Sequence, residues 1–279
     1  MISLCLSVLS SSLVSIIMRL SGSRVKHNLG MLTMNYIVCS LLAGFFGGFS
    51  GAFDLSNSRI GATLAMGTVN GVLYLAGFVL MQLNIRKNGV VLSSIFQKLG
   101  LLVTLVVSVV FYREIPTILQ SSGFALAVFA IVLMNYRKGS GNVRSRGGLI
   151  SMLLACGMGD AMAKVFTESG AAALESQFLF YTFAVAMLLC FVCMTVKGQR
   201  IGMQEAVFGF MIAVPNFFSS KFLLGALESL SAVIVYPVFS VGTILVVTLT
   251  GVLAFRERLN KRQWIAMAAI LVALVLLNI

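Results

Sequence analysis

Charged residues are scarce in this chain. Lys, Arg, Asp and Glu make up 10% of its 279 residues, whereas hydrophobic residues make up 59%. Soluble domains carry about 25% charged residues. So little charge excludes an ordinary soluble domain, and the composition predicts an all-α integral membrane protein.

Motifs that carry enzyme chemistry are missing as well. The sequence has no nucleophile elbow and no phosphate-binding glycine loop. Its one histidine, His27, stands beside Lys26 in a predicted loop. The cysteines show no metal-ligand spacing and all lie inside apolar runs: Cys5, Cys39, Cys156, Cys190 and Cys193. We therefore expect no enzyme activity, no metal and no cofactor.

What the chain does contain is a series of apolar segments separated by short loops. A helix needs about 20 mostly apolar residues to cross a bilayer. Cutting the chain where charges and turn-forming residues cluster yields ten such segments. They cover residues 2–20, 29–52, 60–83, 89–111, 116–136, 147–168, 174–196, 204–227, 231–254 and 261–278. We interpret the first as a membrane span and not as a secretory signal, because no basic residue precedes it.

Two parts of the chain repeat one plan. Residues 88–135 and 231–278 align without a gap at an offset of 256 − 113 = 143. Four polar pairs share that offset: Arg113 with Arg256, Glu114 with Glu257, Gln120 with Gln263, and Asn135 with Asn278. Apolar matches would arise by chance in such a chain, but four polar matches indicate an internal duplication. We interpret these matched residues as scaffold.

The duplication divides the chain into two halves. We predict a first five-helix repeat over residues 1–138, a basic cytoplasmic linker over 139–146 and a second five-helix repeat over 147–279. Because each half has an odd number of spans, equivalent helices cross the membrane in opposite directions. The predicted fold is ten transmembrane helices arranged as two inverted repeats.

The basic residues are distributed unevenly between the two sides of this topology. One side holds 15 Lys or Arg residues, whereas the other holds only Arg59 and Arg113. The positive-inside rule makes the first side cytoplasmic and places both termini outside. The net charge of +12 is therefore a topology signal and not a nucleic acid-binding patch. We expect a multi-pass bacterial cytoplasmic membrane protein, either a monomer or a weak homodimer.

Two lysines inside predicted spans have no charged counterpart in the other repeat. At the 143-residue offset, Lys98 aligns with Val241 and Lys221 aligns with Phe78. A charge in hydrocarbon is costly and usually faces a partner or a water-filled cavity. Since both repeats share the same scaffold, a one-sided charge favours a substrate-binding role. The alternatives are internal salt bridges, or snorkelling of Lys221 to the interface.

The sixth span carries a second set of charges. Asp160, Lys164 and Glu168 follow one another at four-residue intervals, so they share one face of a helix. Asp160 and Lys164 form either a buried intrahelical pair or a coupling site. In the coupling site, Asp160 would be a counter-ion for a substrate ammonium or a proton carrier.

Prolines in two spans predict breaks that expose backbone groups near the midplane. They are Pro215 in span eight and Pro237 in span nine. Ser94 occupies the repeat position of Pro237, so that break is one-sided. Five further residues are predicted to line a substrate pocket: Tyr74, Phe96, Gln97, Asn216 and Tyr236. For the aromatic residues among them, the alternative is packing between helices.

The whole chain resembles the EamA-type branch of the drug/metabolite transporter superfamily. The most specific local feature is a glutamate directly after the fourth helix of each half, here Glu114 and Glu257. The family's proline in that helix is matched by Pro237, but Ser94 replaces it in the first half. Related four-helix exporters bind cations through a glutamate in their first helix, and the first span here has no acid.

The resemblance and the intramembrane lysines together predict a secondary transporter. We expect alternating-access transport of a small polar metabolite, an amino acid or an organic anion or zwitterion, with export favoured. The first alternative is a proton-coupled exporter of cationic drugs that works through Asp160. The second is a non-transporting membrane receptor or assembly subunit. The expected partners are a small-molecule substrate, the lipid bilayer and, for the first alternative, protons.

Overall fold

The computed structural model is helical throughout the parts of the chain that it describes, residues 1–22, 24–48, 58–88, 90–135, 145–254, 256 and 260–277. The helices are α1 (Ile2–Ser21), α2 (Asn28–Gly47), α3 (Ile60–Asn88), α4 (Val90–Lys98), α5 (Leu101–Tyr112), α6 (Ile118–Asn135), α7 (Arg146–Ser169), α8 (Glu175–Val196), α9 (Met203–Leu227), α10 (Ala232–Leu253) and α11 (Lys261–Leu277). With α4 and α5 taken together, these helices form ten segments. The predicted all-α class is confirmed.

Eight of the helical segments in the described residues are long and apolar enough to cross a membrane, and α6 is a shorter apolar helix. Most predicted boundaries agree with the observed ones to within a few residues. Helix α3 runs five residues further than predicted and ends with Arg86 and Lys87 in its last turn. Cations are favourable there because the helix dipole is negative at its C-terminus.

The fourth predicted span needs a correction, because it is not one continuous helix. Helix α4 ends at Lys98 and α5 begins at Leu101. Across this break, Gly100 N–H donates to the Gln97 carbonyl at 3.1 Å and Val103 N–H donates to the Gly100 carbonyl at 2.9 Å. Both bonds connect residues three apart, as in a 3₁₀ turn, so the regular α-helical pattern is interrupted directly after Lys98.

The chain forms two compact units. Unit one consists of Met1–Leu75 and Met162–Glu228, and unit two consists of Ala76–Ala161 and Ser229–Ile279. In unit one, α2 and α8 run antiparallel, since Gly47 at the end of α2 lies against Ser176 at the start of α8. Helices α1 and α9 are joined by two reciprocal bonds: the Ser7 hydroxyl donates to the Ser219 carbonyl at 2.8 Å, and the Ser219 hydroxyl donates to the Ser7 carbonyl at 3.3 Å.

Unit two is built around the last helices of the two predicted repeats. Helices α6 and α11 run antiparallel, because Gly123 near the start of α6 lies against Leu276 and Leu277 at the end of α11. A Cβ atom at Gly123 would lie 2.9 Å from the Leu276 Cβ, so only glycine permits this approach. The buried core around them contains Leu101, Ala127, Ala130, Ile131, Val241, Ile270 and Ala273.

Repeat-equivalent residues adopt equivalent conformations within unit two. Arg113 and Arg256 have φ angles of 56° and 54° and are the described non-glycine residues with positive φ. A left-handed residue commonly ends a helix. After α5, the backbone N–H groups of Arg113 and Glu114 both donate to the Ser108 carbonyl, the second at 3.2 Å, so this carbonyl at the end of the helix has donors.

The matched glutamines have equivalent roles as well. Before α6, the Thr117 hydroxyl accepts from Gln120 N–H and the Gln120 side chain accepts from Thr117 N–H, at 3.2 and 3.1 Å. Before α11, Asn260 and Gln263 make the same reciprocal pair, at 2.9 and 3.0 Å. Each pair is a capping box, and 260 − 117 = 143 is the offset of the duplication. Glu257, Asn278 and linker residues 139–144 lie outside the described residues.

Candidate functional site

Two opposite charges come together in unit two. Lys98, the last residue of α4, is half-buried, and Asp160 on α7 is exposed. The two side chains interact electrostatically. Neither a salt bridge within 4.0 Å nor a hydrogen bond joins them in the described part of the chain. Cys156, one turn before Asp160, interacts electrostatically with both.

A close contact between two glycines determines where Lys98 lies. A Cβ atom at Gly157 of α7 would lie 2.4 Å from the Gly100 carbonyl oxygen and 2.6 Å from the Val103 Cβ. The Thr104 hydroxyl also donates to the Gly157 carbonyl at 3.3 Å. The break after Lys98 and the missing side chain at residue 157 therefore let the two backbones touch. This contact places Lys98 beside the part of α7 that carries Asp160.

Tyr236 supports Asp160 from a third helix. Its side chain on α10 is only 3% exposed, and its hydroxyl donates to the Asp160 backbone carbonyl at 2.6 Å. Tyr236 was predicted as a substrate ligand. The structure instead places its hydroxyl on the backbone of the residue that carries the acid.

The two prolines do not interrupt their helices as the sequence suggested. Helix α9 runs through Pro215 and α10 runs through Pro237. Proline has no N–H and removes one helical hydrogen bond, but both helices continue on either side of it. The interruption occurs at Leu99 and Gly100 instead.

The remaining predicted site residues fall into two groups. Phe96 and Gln97 are half-buried on α4 in unit two, next to Lys98. Unit one holds the others, which are Tyr74, Lys164, Asn216 and Lys221.

Each of these unit-one residues has a partner within its own unit. Lys164 is fully buried and forms an ion pair with Glu168, one turn further along α7. Lys221 lies 4.2 Å from the centre of the Phe46 ring, a cation–π contact. The rings of Tyr74 and Phe183 lie 6.3 Å apart. The sequence predicted Asp160 and Lys164 either as an intrahelical pair or as a coupling site, whereas the structure pairs Lys164 with Glu168.

Asn216 takes part in a pair of equivalent interhelical contacts in unit one. Its side-chain nitrogen donates to Asn35 Oδ1 at 3.3 Å. The Asn70 nitrogen donates to the Thr182 hydroxyl at 3.4 Å. Asn216 aligns with Asn70 at an offset of 216 − 70 = 146, and Thr182 aligns with Asn35 at an offset of 182 − 35 = 147. At an offset of 146, Lys221 aligns with Leu75 and not with Phe78, but its counterpart is still uncharged.

Among the described residues, no group of three or more His, Cys, Asp or Glu side chains could hold a metal ion. Comparison with known proteins then points to a family. Residues 1–136 match the EamA-like transporter family, which belongs to the drug/metabolite transporter superfamily. The match indicates a membrane transporter of the drug/metabolite type, and members of the EamA-like family are transporters, not enzymes.

Two similar proteins extend the comparison. The chain is 26% identical over 201 residues to an uncharacterized protein of Haemophilus influenzae, an alignment that covers 70% of this chain and 68% of that protein. A protein crystal structure superposes with a TM-score of 0.72 over 99% of this chain and 94% of that one. At 13% identity, the second comparison supports the fold alone.

One residue of the chain has a role that sequence reasoning missed. Glu114 was interpreted as scaffold, but its function was not assigned. In the structure its carboxylate accepts a hydrogen bond from Ala232 N–H at 2.8 Å, at the first residue of α10. Since the two residues are 118 positions apart in the sequence, no local pattern could have predicted this contact.

Proposed function

We propose that this chain is a secondary transporter of small polar metabolites that works by alternating access. The substrate class is amino acids and other small organic anions or zwitterions, and export is the favoured direction. The observation that carries the proposal is the pair of opposite charges in unit two, Lys98 and Asp160, on two separate spanning segments.

The chemistry of this pair suits a zwitterion. Charges within a membrane are costly unless a partner or water compensates them. Lys98 and Asp160 attract each other without a direct ion-pair contact. A substrate carboxylate on Lys98 and a substrate ammonium on Asp160 would give each charge a close partner. Asp160 is exposed, so its carboxylate has room for an ammonium group of the substrate.

The proposal includes a location and an arrangement in the membrane. Both termini lie outside, and basic loops face the cytoplasm of a bacterial cell. The protein works as a monomer or a weak homodimer. The remaining pocket residues predicted from sequence, among them Lys221 and Asn216, stay proposals for a substrate path.

Uptake by purified protein in liposomes tests the function. Labelled amino acids, dicarboxylates and organic cations are offered under inward, outward and pH gradients. We expect transport of a zwitterionic or anionic compound, and a decrease of about tenfold or more in Lys98→Met and Asp160→Asn, the effect of losing one charge-assisted hydrogen bond. Lys87→Met, which changes an exposed lysine at the end of α3, should transport normally.

Three other results would lead to different conclusions. If no compound moves under any gradient, the protein is not a transporter of these classes. If only cations move, and Asp160→Asn abolishes their movement along with its dependence on pH, the protein is a proton-coupled cation exporter. If both charge variants transport at the parent's rate, Lys98 and Asp160 do not bind the substrate.

A further inference from the structure

A continuous set of contacts runs from the loop after α5 to Asp160. The left-handed residue Arg113 ends α5, and Glu114 follows it directly. The Glu114 carboxylate accepts from Ala232 N–H at 2.8 Å. One turn further along α10, Tyr236 donates to the Asp160 carbonyl at 2.6 Å. Ala232 and Tyr236 are four residues apart and therefore lie on the same face of α10.

The start of α10 depends on this carboxylate. Ser231 is the N-cap residue of the helix, but its side chain makes no capping hydrogen bond. The first N–H groups of a helix have no partner within the helix and need an external acceptor. An anionic carboxylate at that end is also favoured by the helix dipole. Glu114 therefore fills the role that the N-cap side chain leaves open.

We propose that Glu114 is a positioning residue for the Lys98–Asp160 pair. It holds the first turn of α10, which holds Tyr236 on the backbone of Asp160. When the cap is lost, the first turn of α10 opens more often, Tyr236 leaves the Asp160 carbonyl, and this part of α7 loses its support. That Lys98 and Asp160 bind the substrate rests on the proposed function. The effect of Glu114 on Tyr236 and on the backbone of Asp160 does not depend on it.

Hydrogen–deuterium exchange of the full-length protein in detergent tests the link without any substrate. In Glu114→Ala we expect exchange about fivefold faster both in the peptide covering 232–236 and in the peptide covering 156–162, the size of effect that loss of one helix cap produces. In Glu114→Gln, whose side-chain oxygen still accepts, exchange should stay close to the parent's. In Tyr236→Phe only the 156–162 peptide should change.

The matched control is Gln263→Ala, which removes an equivalent N-terminal cap from α11. It should leave the 156–162 peptide unchanged. A second readout is the labelling rate of Cys156 by a small methanethiosulfonate, in a variant whose other four cysteines are replaced by alanine. Glu114→Ala and Tyr236→Phe should each raise that rate about fivefold, and the double variant should raise it no further.

Several results would overturn the proposal. If Glu114→Ala speeds exchange in the 232–236 peptide alone, Glu114 is only a helix cap. If Gln263→Ala changes the 156–162 peptide equally, the effect is general destabilisation. A labelling effect in the double variant equal to the product of the single effects would show that Glu114 and Tyr236 act independently. Since neither measurement needs transport, failure of the link and failure of the proposed function are distinguishable.

Discussion

Single polar residues in the predicted membrane spans have two different roles in this chain. Two equivalent contacts of the predicted repeats join neighbouring helices in unit one: Asn216 with Asn35, and Asn70 with Thr182. Lys98 has an uncharged counterpart, Val241, in the other repeat. The polar residues that both predicted repeats share connect helices. Lys98, which occurs in one repeat and has no charged counterpart in the other, supplies a charge to the candidate site.

Replacement of the two asparagines by leucine tests the connecting role. Asn216→Leu removes a donor from Asn35, and we expect it to lower stability by about 0.6 kcal/mol, the average for a polar contact between membrane helices. Asn70→Leu should cost less, because the buried Oδ1 of Asn70 has no hydrogen-bond partner within the described residues. Thermal unfolding in detergent, followed by circular dichroism, ranks the two variants.

The same variants also test the substrate-binding role that sequence predicted for Asn216. If Asn216 only connects helices, Asn216→Leu should lower the unfolding temperature and leave the KM for transport unchanged. An Asn216→Leu protein that unfolds like the parent but has a raised KM would instead place this side chain on the substrate.

The sequence identified residues better than it identified their partners. Lys98 and Asp160 stood out because both are charges inside apolar spans, but they lie 62 positions apart and the contact of Gly100 with Gly157 brings them together. Lys164 had acids at equal spacing on either side, Asp160 and Glu168, so helical periodicity could not choose between them. Gln120 and Gln263 were found as repeat matches, although Thr117-x-x-Gln120 also carries the recognisable pattern of a capping box.

At the scale of helices, the break between α4 and α5 is the feature that distinguishes the two repeats. The equivalent helix in the second repeat, α10, is continuous even though it contains Pro237. The sequence predicted helix breaks at Pro215 and Pro237, but the observed interruption lies at Gly100. The reason is tertiary: Gly100 and Gly157 allow a backbone contact that a regular helix with side chains at these positions would exclude.

Two glycines on the same helix test this contact. In Gly157→Ala the new methyl group would meet the Gly100 carbonyl oxygen and the Val103 side chain, and we expect a loss of about 1–3 kcal/mol through overpacking. In Gly147→Ala the methyl group meets no atom within 4 Å, so stability should be unchanged or higher by up to about 1 kcal/mol. Thermal unfolding of both proteins provides the comparison.

The two glycine variants differ in function as well, since the contact positions Lys98. Gly157→Ala should transport more slowly than Gly147→Ala at a temperature where both are folded. Equal unfolding temperatures for the two variants would mean that α7 can move away without cost, and the glycine contact would then not position the site.

At the scale of the whole molecule, equivalent helices pair with each other in opposite directions. Helix α2 runs antiparallel to α8 in unit one, and α6 runs antiparallel to α11 in unit two. Each pair consists of the same helix from the first and second predicted repeat. This is the arrangement that inverted repeats require, because five spans per half reverse the direction of every equivalent helix. The sequence leads to this expectation through the odd number of predicted spans in each half.

The inversion leads to a prediction about the termini. The ten predicted spans would place both ends of the chain on one side, and the excess of basic residues in the opposite loops predicts that this side is external. Alkaline phosphatase fused after residue 279 should be active in bacterial cells, whereas green fluorescent protein fused there should stay dark. Fusions after residue 142, in the basic linker, should give the reverse pattern, because five spans precede that point. A fluorescent C-terminal fusion would mean an odd number of crossings or an inverted orientation, and a dark linker fusion in the same cells would favour the inverted orientation.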